Sequence, residues 1–349
     1  MRIFKKCKFL CFILCVCLVN GLMSFLLEPA KGASDMMWNS YYKQKEIDTI
    51  FIGSSLCSAT FDPKVFEERL GAKAFNMGTP MQALNQNMSA LETALEEHSI
   101  DTVIIGMGFF VLQEEVYEVA ELTFEKELSR NSGGFKGFLK SMEYIFSETV
   151  RNSEKSINYW FPWVYNAENY SLESMQKNVM SKIRIMQSDS EEGIDGKGYA
   201  PYTGIVDYNT ASENNSYLTY EQGLQENLLE KFEELLLICK KENVDVIVVN
   251  TPHPEFDVLS CADTYAENDE KVKNLCKKYE VDYYNFSLAK PVLFDTKEEF
   301  FYDYEHLNYE GSQAFCTMFC DFLQMRNTDE DLDKYFYTVE EYLEKNRGK

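Results

Sequence analysis

Five short runs of β-branched and aromatic residues, each halted by glycine, asparagine or serine, constrain this chain more than any other feature. They are IDTIFIG (Ile47 to Gly53), AKAFNMG (ending at Gly78), DTVIIGMG (Asp101 to Gly108), VDVIVVN (Val244 to Asn250) and VDYYNFS (Val281 to Ser287). Stretches with helical spacing separate them. PKVFEERLG opens on Pro63; Leu84, Met88, Leu91 and Leu95 share one helix face, as do Leu224, Leu228, Leu235 and Cys239. Further helices are expected around Glu270 to Tyr279 and across Phe315, Phe319 and Phe322. Strands alternating with amphipathic helices bury their strands from both sides. The expectation is a three-layer α/β/α fold with a flavodoxin-like parallel sheet of about five strands. At 349 residues and 45% hydrophobic content the chain has material for a full core.

More than a hundred residues lie between the third strand and the helix that leads into the fourth, far beyond the usual 2–6 residue loop, so an insertion is expected at about 110–220. It holds SINYWFPWVYNAENY, which reads as a satellite hydrophobic cluster in preference to a sugar-stacking platform or a membrane-facing patch. It also holds the turn-rich, tyrosine-rich GKGYAPYTGIVDYNTASENNSY. Residues 31–46 read as a linker, 47–325 as the α/β domain, and 326–349 as a charged, solvated helical tail.

The first thirty residues carry a compartment signal. Arg2, Lys5, Lys6 and Lys8 precede an uncharged stretch from Phe9 to Leu27, and Glu28 follows it. That length suits a membrane-spanning helix, and the basic flank places the N-terminus in the cytoplasm and the body outside. A cleaved signal peptide is the rival, with a shorter apolar region and a small-x-small site, for which PAKGASD is a weak match. The formal charge of -23 repels phosphate backbones, so nucleic acid is excluded as a partner.

Cys7, Cys11, Cys15 and Cys17 lie in or beside the apolar segment, and Cys57, Cys239, Cys261, Cys276, Cys316 and Cys320 lie beyond it. The even count permits disulfides, but Cys239, Cys276, Cys316 and Cys320 fall on apolar helix faces, where buried free thiols are common. No Cys-x-x-Cys or Cys/His spacing suggests zinc, and no cofactor is implied.

In a parallel α/β sheet the ligand crevice lies at the carboxyl ends of the strands. Those ends carry Ser54 and Ser55, Gly78 in NMGTP, Gly106 in GMGFF, His253 in NTPHPE, and FYDYEHLNYEGSQAF after the fifth run. A serine hydroxyl needs a base to become a nucleophile, and histidine is suited to that work. His306 is the candidate base, Asp303 its orienting carboxylate, and Ser55 the candidate nucleophile. The backbone N–H groups of Ser55 and Gly78 would face the developing oxyanion.

With these residues in place, FIGSSL and DYEHLNYEG resemble the SGNH/GDSL hydrolase superfamily, whose first block is Gly-Asp-Ser and whose last is Asp-x-x-His. The resemblance makes Ser55 the nucleophile, with Ser54 in place of the family aspartate, and puts Gly78 on the second-block glycine. It aligns Gly106 with the third block but leaves Gly108 where that block has asparagine. The Gly-Ser-Ser block and the N-terminal segment also look like the DltD-type branch of teichoic-acid D-alanylation and the SGNH proteins that partner membrane-bound O-acyltransferases. The function this implies is a membrane-anchored, extracytoplasmic serine esterase or acyltransferase acting on an acylated cell-envelope glycopolymer. A non-catalytic scaffold or glycopolymer-binding subunit is the alternative.

Each residue also has a structural reading. Ser54 and Ser55 can cap the helix that follows, and Ser54 in particular reads as a structural hydroxyl. Cys57 reads as packing. Of the three histidines, His253 can line the crevice but reads first as an exposed turn residue between prolines, and His98 as a solvated residue favourable to a helix C-terminus.

Overall fold

Strand β1 (Thr49–Gly53) runs between β2 (Ala74–Asn76) and β3 (Thr102–Met107), and β4 (Asp245–Asn250) and β5 (Asp282–Asn285) continue the sheet beyond β3. All neighbours pair in parallel, in the order β2-β1-β3-β4-β5, with Thr49 opposite Ala74 on one side and Thr102 on the other. The order is that of flavodoxin-like sheets, and it reverses direction between β1 and β3. The computed structural model describes residues 2–28, 32–113, 118–151, 156–161, 163–164, 171–187, 196–206, 223–260, 262–328 and 330–346.

The helices before the fourth strand are α1 (Arg2–Leu27), α2 (Ala33–Tyr41), α3 (Ser55–Thr60), α4 (Pro63–Leu70), α5 (Leu84–Glu97), α6 (Glu118–Ser132), α7 (Gly134–Arg151), α8 (Ser156–Trp160), α9 (Leu172–Gln187) and α10 (Glu226–Glu242). After it come α11 (Glu255–Ser260), α12 (Ala262–Lys278), α13 (Tyr309–Arg326) and α14 (Val339–Asn346). Two units divide the chain: Met37–Glu121 with Gly193–Lys349, and Met1–Met36 with Leu122–Glu192.

The larger unit holds the sheet. Every residue of β1 is buried, as expected of a parallel strand covered on both faces. On one face Phe51, Ile104, Ile247 and Val249 meet Phe61 and Phe66 from the α3–α4 side and Phe315, Phe319 and Phe322 from α13. Phe286, just past β5, sits at the centre, with rings of Phe315, Phe319, Phe322 and Phe336 at 5.0, 5.5, 5.4 and 5.3 Å. Helices α5, α10 and α12 cover the other face, the side that right-handed crossovers demand.

Three expectations change here. Residues 33–41 are helical, and Trp38 and Tyr41 are fully buried, so this stretch is core and not linker. Tyr41 stands edge-on to Phe75 at 5.6 Å and to His98 at 5.5 Å. His98 is thus packed and half-buried; desolvation pushes its pKa down, which opposes the charge that would favour a helix C-terminus. The tail is not simply solvated: Leu332, Val339 and Tyr342 are buried, and α14 packs on α12. Val339 and Tyr342 share one helix face, an apolar stripe hidden among acidic neighbours. Cys57, Cys239, Cys276, Cys316 and Cys320 are buried free thiols, whereas Cys261 lies outside the described residues.

In the smaller unit, the segment Lys8–Leu27 of α1 is the one helix among the described residues long and apolar enough to cross a membrane. Helix α9 packs along it. Lys182 Nζ donates to the carbonyls of Phe25 and Glu28, both at 2.6 Å, and Asn178 Nδ2 reaches Leu27 O at 3.3 Å. These bonds satisfy carbonyls that any helix C-terminus leaves open. Lys126 pairs with the Glu28 carboxylate, and the indole N–H of Trp163 donates to Asn20 Oδ1 at 2.8 Å. Helices α7 and α8 pack through Tyr144 on Tyr159 and Phe146 on Trp160. The insertion expected at 110–220 is therefore mostly this second unit, while 196–206 belongs to the larger one and 207–222 lies outside the described residues.

Candidate active site

Gly53 ends β1 with φ +155, a conformation that L side chains rarely adopt. A Cβ there would stand 2.0 Å from the Gly106 carbonyl oxygen, so the chain turns in the one way that seats α3 directly on the sheet. Gly106 serves the same approach from below, since a Cβ there would meet Phe61 at 2.6 Å and Cys57 at 3.1 Å. Ser54 takes the N-cap position of α3, but its side chain makes no capping bond. It is fully buried, and its Oγ has no hydrogen-bond partner among the described residues. Ser55, the first residue of α3, is partly exposed at the carboxyl edge of the sheet.

Asn76 anchors that short helix. Its Nδ2 donates to the carbonyls of Cys57 at 3.0 Å and Phe61 at 2.8 Å, and its Oδ1 accepts the Gly78 N–H at 2.9 Å. The last bond also explains why β2 stops at Asn76 instead of running to Gly78. A side chain that mimics a turn carbonyl competes with the strand ladder.

The base arrives on a tight loop. The backbone N–H of Tyr302 donates to His306 O at 2.8 Å, that of Asn308 to Phe300 O at 2.9 Å, and Phe301 bridges Leu307. Asp303 Oδ1 accepts the N–H groups of Glu305 at 2.9 Å and His306 at 2.7 Å, closing the loop around its own carboxylate. Asn308 caps α13 by accepting from Gly311 N at 2.9 Å, while its Nδ2 donates to Gly204 O and Glu299 O. His306 is thereby fixed between a rigid turn and a helix start.

The resulting geometry joins the two ends of the chain. His306 Nε2 lies 2.8 Å from Ser55 Oγ, and His306 Nδ1 lies 2.9 Å from each Asp303 carboxylate oxygen. An ionised carboxylate only accepts, so Nδ1 carries the proton and Nε2 is left to accept from the serine hydroxyl. Burial pushes the Asp303 carboxyl up, but the hydrogen bond and charge of His306 and the two backbone N–H groups outweigh it, and the net shift is downward. The carboxylate stays charged beside the imidazole, as a group stabilising a transient imidazolium must.

Other expected residues fall elsewhere. Gly78 offers no free N–H, because that donor is bound to Asn76. Gly106 lies beneath α3 and does not line the crevice. His253 is fully buried, not an exposed turn residue, and its Nδ1 lies 3.1 Å from Ser287 Oγ. Because the Ser287 hydroxyl donates to Thr251 O at 3.0 Å, it accepts from His253, which fixes the Nδ1–H tautomer. Burial, then the nearby His306 charge, drives the His253 pKa down to about 3. A Cβ on Gly108 would approach Leu56 Cδ1 at 2.7 Å and His253 Cε1 at 3.4 Å, so the space beside residue 108 is already filled. Cys57 is fully buried and burial raises its thiol pKa, which suits packing and not attack.

Two contributors escaped the sequence reading. Asn308 had a usable signal, an asparagine immediately before a helix. Tyr202 had none: the segment 196–206 crosses from β2 to the His306 loop, through Asn76 N to Lys197 O at 2.9 Å, Ala200 N to Ser58 O at 2.9 Å and Tyr309 N to Tyr202 O at 2.8 Å. It lays the Tyr202 ring flat on Tyr302 at 4.7 Å and 5.0 Å from the His306 ring.

No family model matches the chain, and no curated protein matches it in sequence. Among solved structures it is similar to the lipase/acylhydrolase from Enterococcus faecalis, with a TM-score of 0.39 and 10% identity over 82% of this chain and 100% of that one. It is likewise similar to a GDSL-like lipase from Bacteroides thetaiotaomicron, with a TM-score of 0.36 and 10% identity over 81% of this chain and 90% of that one. At TM-scores below 0.5 these likenesses assign no activity to this chain.

Proposed function

We propose that the chain is an SGNH-type serine esterase or acyltransferase, held at a membrane by α1 with its α/β unit outside the cytoplasm. The observation that carries the reading is the contact of His306 Nε2 with Ser55 Oγ at 2.8 Å, backed by Asp303. In this mechanism Ser55 Oγ attacks an acyl carbonyl while His306 Nε2 takes its proton. Asp303 stabilises the imidazolium, and the proton passes to the departing alkoxide as the acyl-enzyme forms. His306 then deprotonates water, for hydrolysis, or an acceptor hydroxyl, for transfer. The Ser55 N–H, at the start of α3, has no intrahelical acceptor and is the proposed oxyanion donor.

The bonds from Lys182 and Asn178 to the last carbonyls of α1 support a retained helix over a cleaved signal. The resemblance to the DltD-type branch supports an acylated cell-envelope glycopolymer as substrate and a membrane-bound O-acyltransferase as partner. A second reading, a non-catalytic glycopolymer-binding subunit, is favoured by the occupied Gly78 N–H and the missing side chain at Gly108.

Labelling with a fluorophosphonate probe separates the two. Wild-type protein should react, and Ser55→Ala and His306→Ala should not. Equal labelling of all three sinks the nucleophile assignment, and no labelling of any favours the binding subunit.

A further inference from the structure

Helix α7 carries an apolar stripe that nothing described covers. Phe135, Phe138, Leu139, Phe146 and Val150 fall within roughly a third of its circumference at helical spacing, with Lys136, Lys140 and Ser147 on the other side. All five apolar side chains are exposed, Phe135 by 73% and Val150 by 84%. Phe135 stacks on Phe138 at 6.2 Å, and Trp160 of α8, itself exposed, extends the stripe through its edge contact with Phe146 at 5.5 Å. A contiguous apolar surface of this kind marks a protein or a membrane contact.

The same unit says which. The uncharged part of α1, Phe9 to Leu27, is roughly 29 Å long at 1.5 Å per residue, close to the thickness of a bilayer core. Its outer end is held by α9 through Lys182 and Asn178 and by Lys126 at Glu28. Trp163, three residues beyond α8, bonds to Asn20, which lies roughly 11 Å inward from Leu27 along the helix. A bilayer around α1 therefore reaches the chain next to α8.

From this we infer that α7 and α8 form a second membrane contact, an amphipathic element lying in the outer lipid interface with Phe135, Phe138, Phe146, Val150 and Trp160 among the acyl chains. The inference rests on the reading of α1 as a spanning helix. Attraction to anionic headgroups does not drive it, since the chain carries a formal charge of -23; burial of apolar side chains does. In SINYWFPWVYNAENY, of which residues 162 and 165–170 lie outside the described residues, Tyr159 is buried against Tyr144 as a satellite cluster would have it, and Trp160 is the residue that the proposed contact takes. The contact ties the smaller unit to the lipid surface at two places, so that unit cannot swivel freely about a single anchor.

The test uses the full chain in vesicles of phosphatidylcholine and phosphatidylglycerol with a photoactivatable group on the acyl chain, and maps the adducts by mass spectrometry. Adducts are expected on α1 and on residues 134–160. The variant F135S/F138S/F146S should keep the α1 adducts, lose those on α7 by about tenfold, and label with fluorophosphonate as the wild type does. Adducts on α1 alone overturn the second contact and leave the anchor standing, whereas adducts on neither overturn both. Chain-to-chain or chain-to-protein crosslinks through residues 134–160 in place of lipid adducts assign the stripe to a protein partner and overturn the lipid proposal.

Discussion

The Asn76 amide donates to the Cys57 carbonyl at 3.0 Å, across the space between the end of β2 and the helix that begins with Ser55. A second bond from the same nitrogen, to Phe61 O at 2.8 Å, holds the far end of that helix. Six residues make a helix too short to hold itself, so its orientation is borrowed from this side chain.

Asn76→Ala should leave the Phe61 carbonyl and the Gly78 N–H unsatisfied in a buried place, while the Cys57 carbonyl keeps only the Phe61 N–H. The expected loss is about 2–5 kcal/mol of stability, read from denaturant midpoints. Fluorophosphonate labelling of the fraction that remains folded should also slow, because Ser55 then moves relative to His306. Normal labelling by a destabilised variant would show that α3 is held by packing alone.

Asp303→Asn should preserve the loop, since an amide oxygen still accepts from Glu305 N and His306 N. It should nevertheless slow labelling of Ser55 by two to four orders of magnitude, roughly the scale of losing a triad carboxylate. The remaining side chain cannot stabilise the imidazolium, nor require the proton on Nδ1. A rate within a few-fold of wild type would remove Asp303 from the proposed triad.

His253 sets an acid limit on stability. Its pKa is about 3 in the folded chain against 6.5 for an ordinary solvated histidine, so the unfolded state binds its proton first as the pH falls. The stability it contributes is present above about pH 6.5 and is lost toward pH 3, at about 1.4 kcal/mol per unit. His253→Gln should flatten that slope in denaturation curves taken across the window. An unchanged slope would mean that the ring is not buried in its neutral form.

Tyr202→Phe should label as wild type, because it is the ring that packs against Tyr302 and His306. Tyr202→Ala should free the imidazole to rotate and cost about tenfold in labelling rate. A common effect of both substitutions would instead assign the work to the hydroxyl.

Where the information was local, it could be read from the residues in order. Alternating apolar runs and amphipathic helices define a parallel sheet, and the Gly-Ser-Ser and Asp-x-x-His segments lie where such sheets keep their chemistry. The lengths of β1, β3 and β4 agree with those runs to within one or two residues, because strand burial depends on side chains next to one another in sequence. The linker reading of residues 31–46 failed for the opposite reason. Trp38 and Tyr41 find their partners far along the chain, at Phe75 and His98 for Tyr41, and nothing adjacent to them announces it.

The residue types and their order by themselves determined the α/β class, an apolar N-terminal helix and the candidates Ser55, Asp303 and His306. Only the tertiary structure decided that Ser55 and His306, 251 residues apart, come within hydrogen-bonding distance. It also decided that the Gly78 N–H is already bound to Asn76, that His253 is buried and neutral, and that Tyr202 packs on His306. The physical reason is that hydrogen bonds and desolvation act over a few ångströms of space, whatever the separation along the chain.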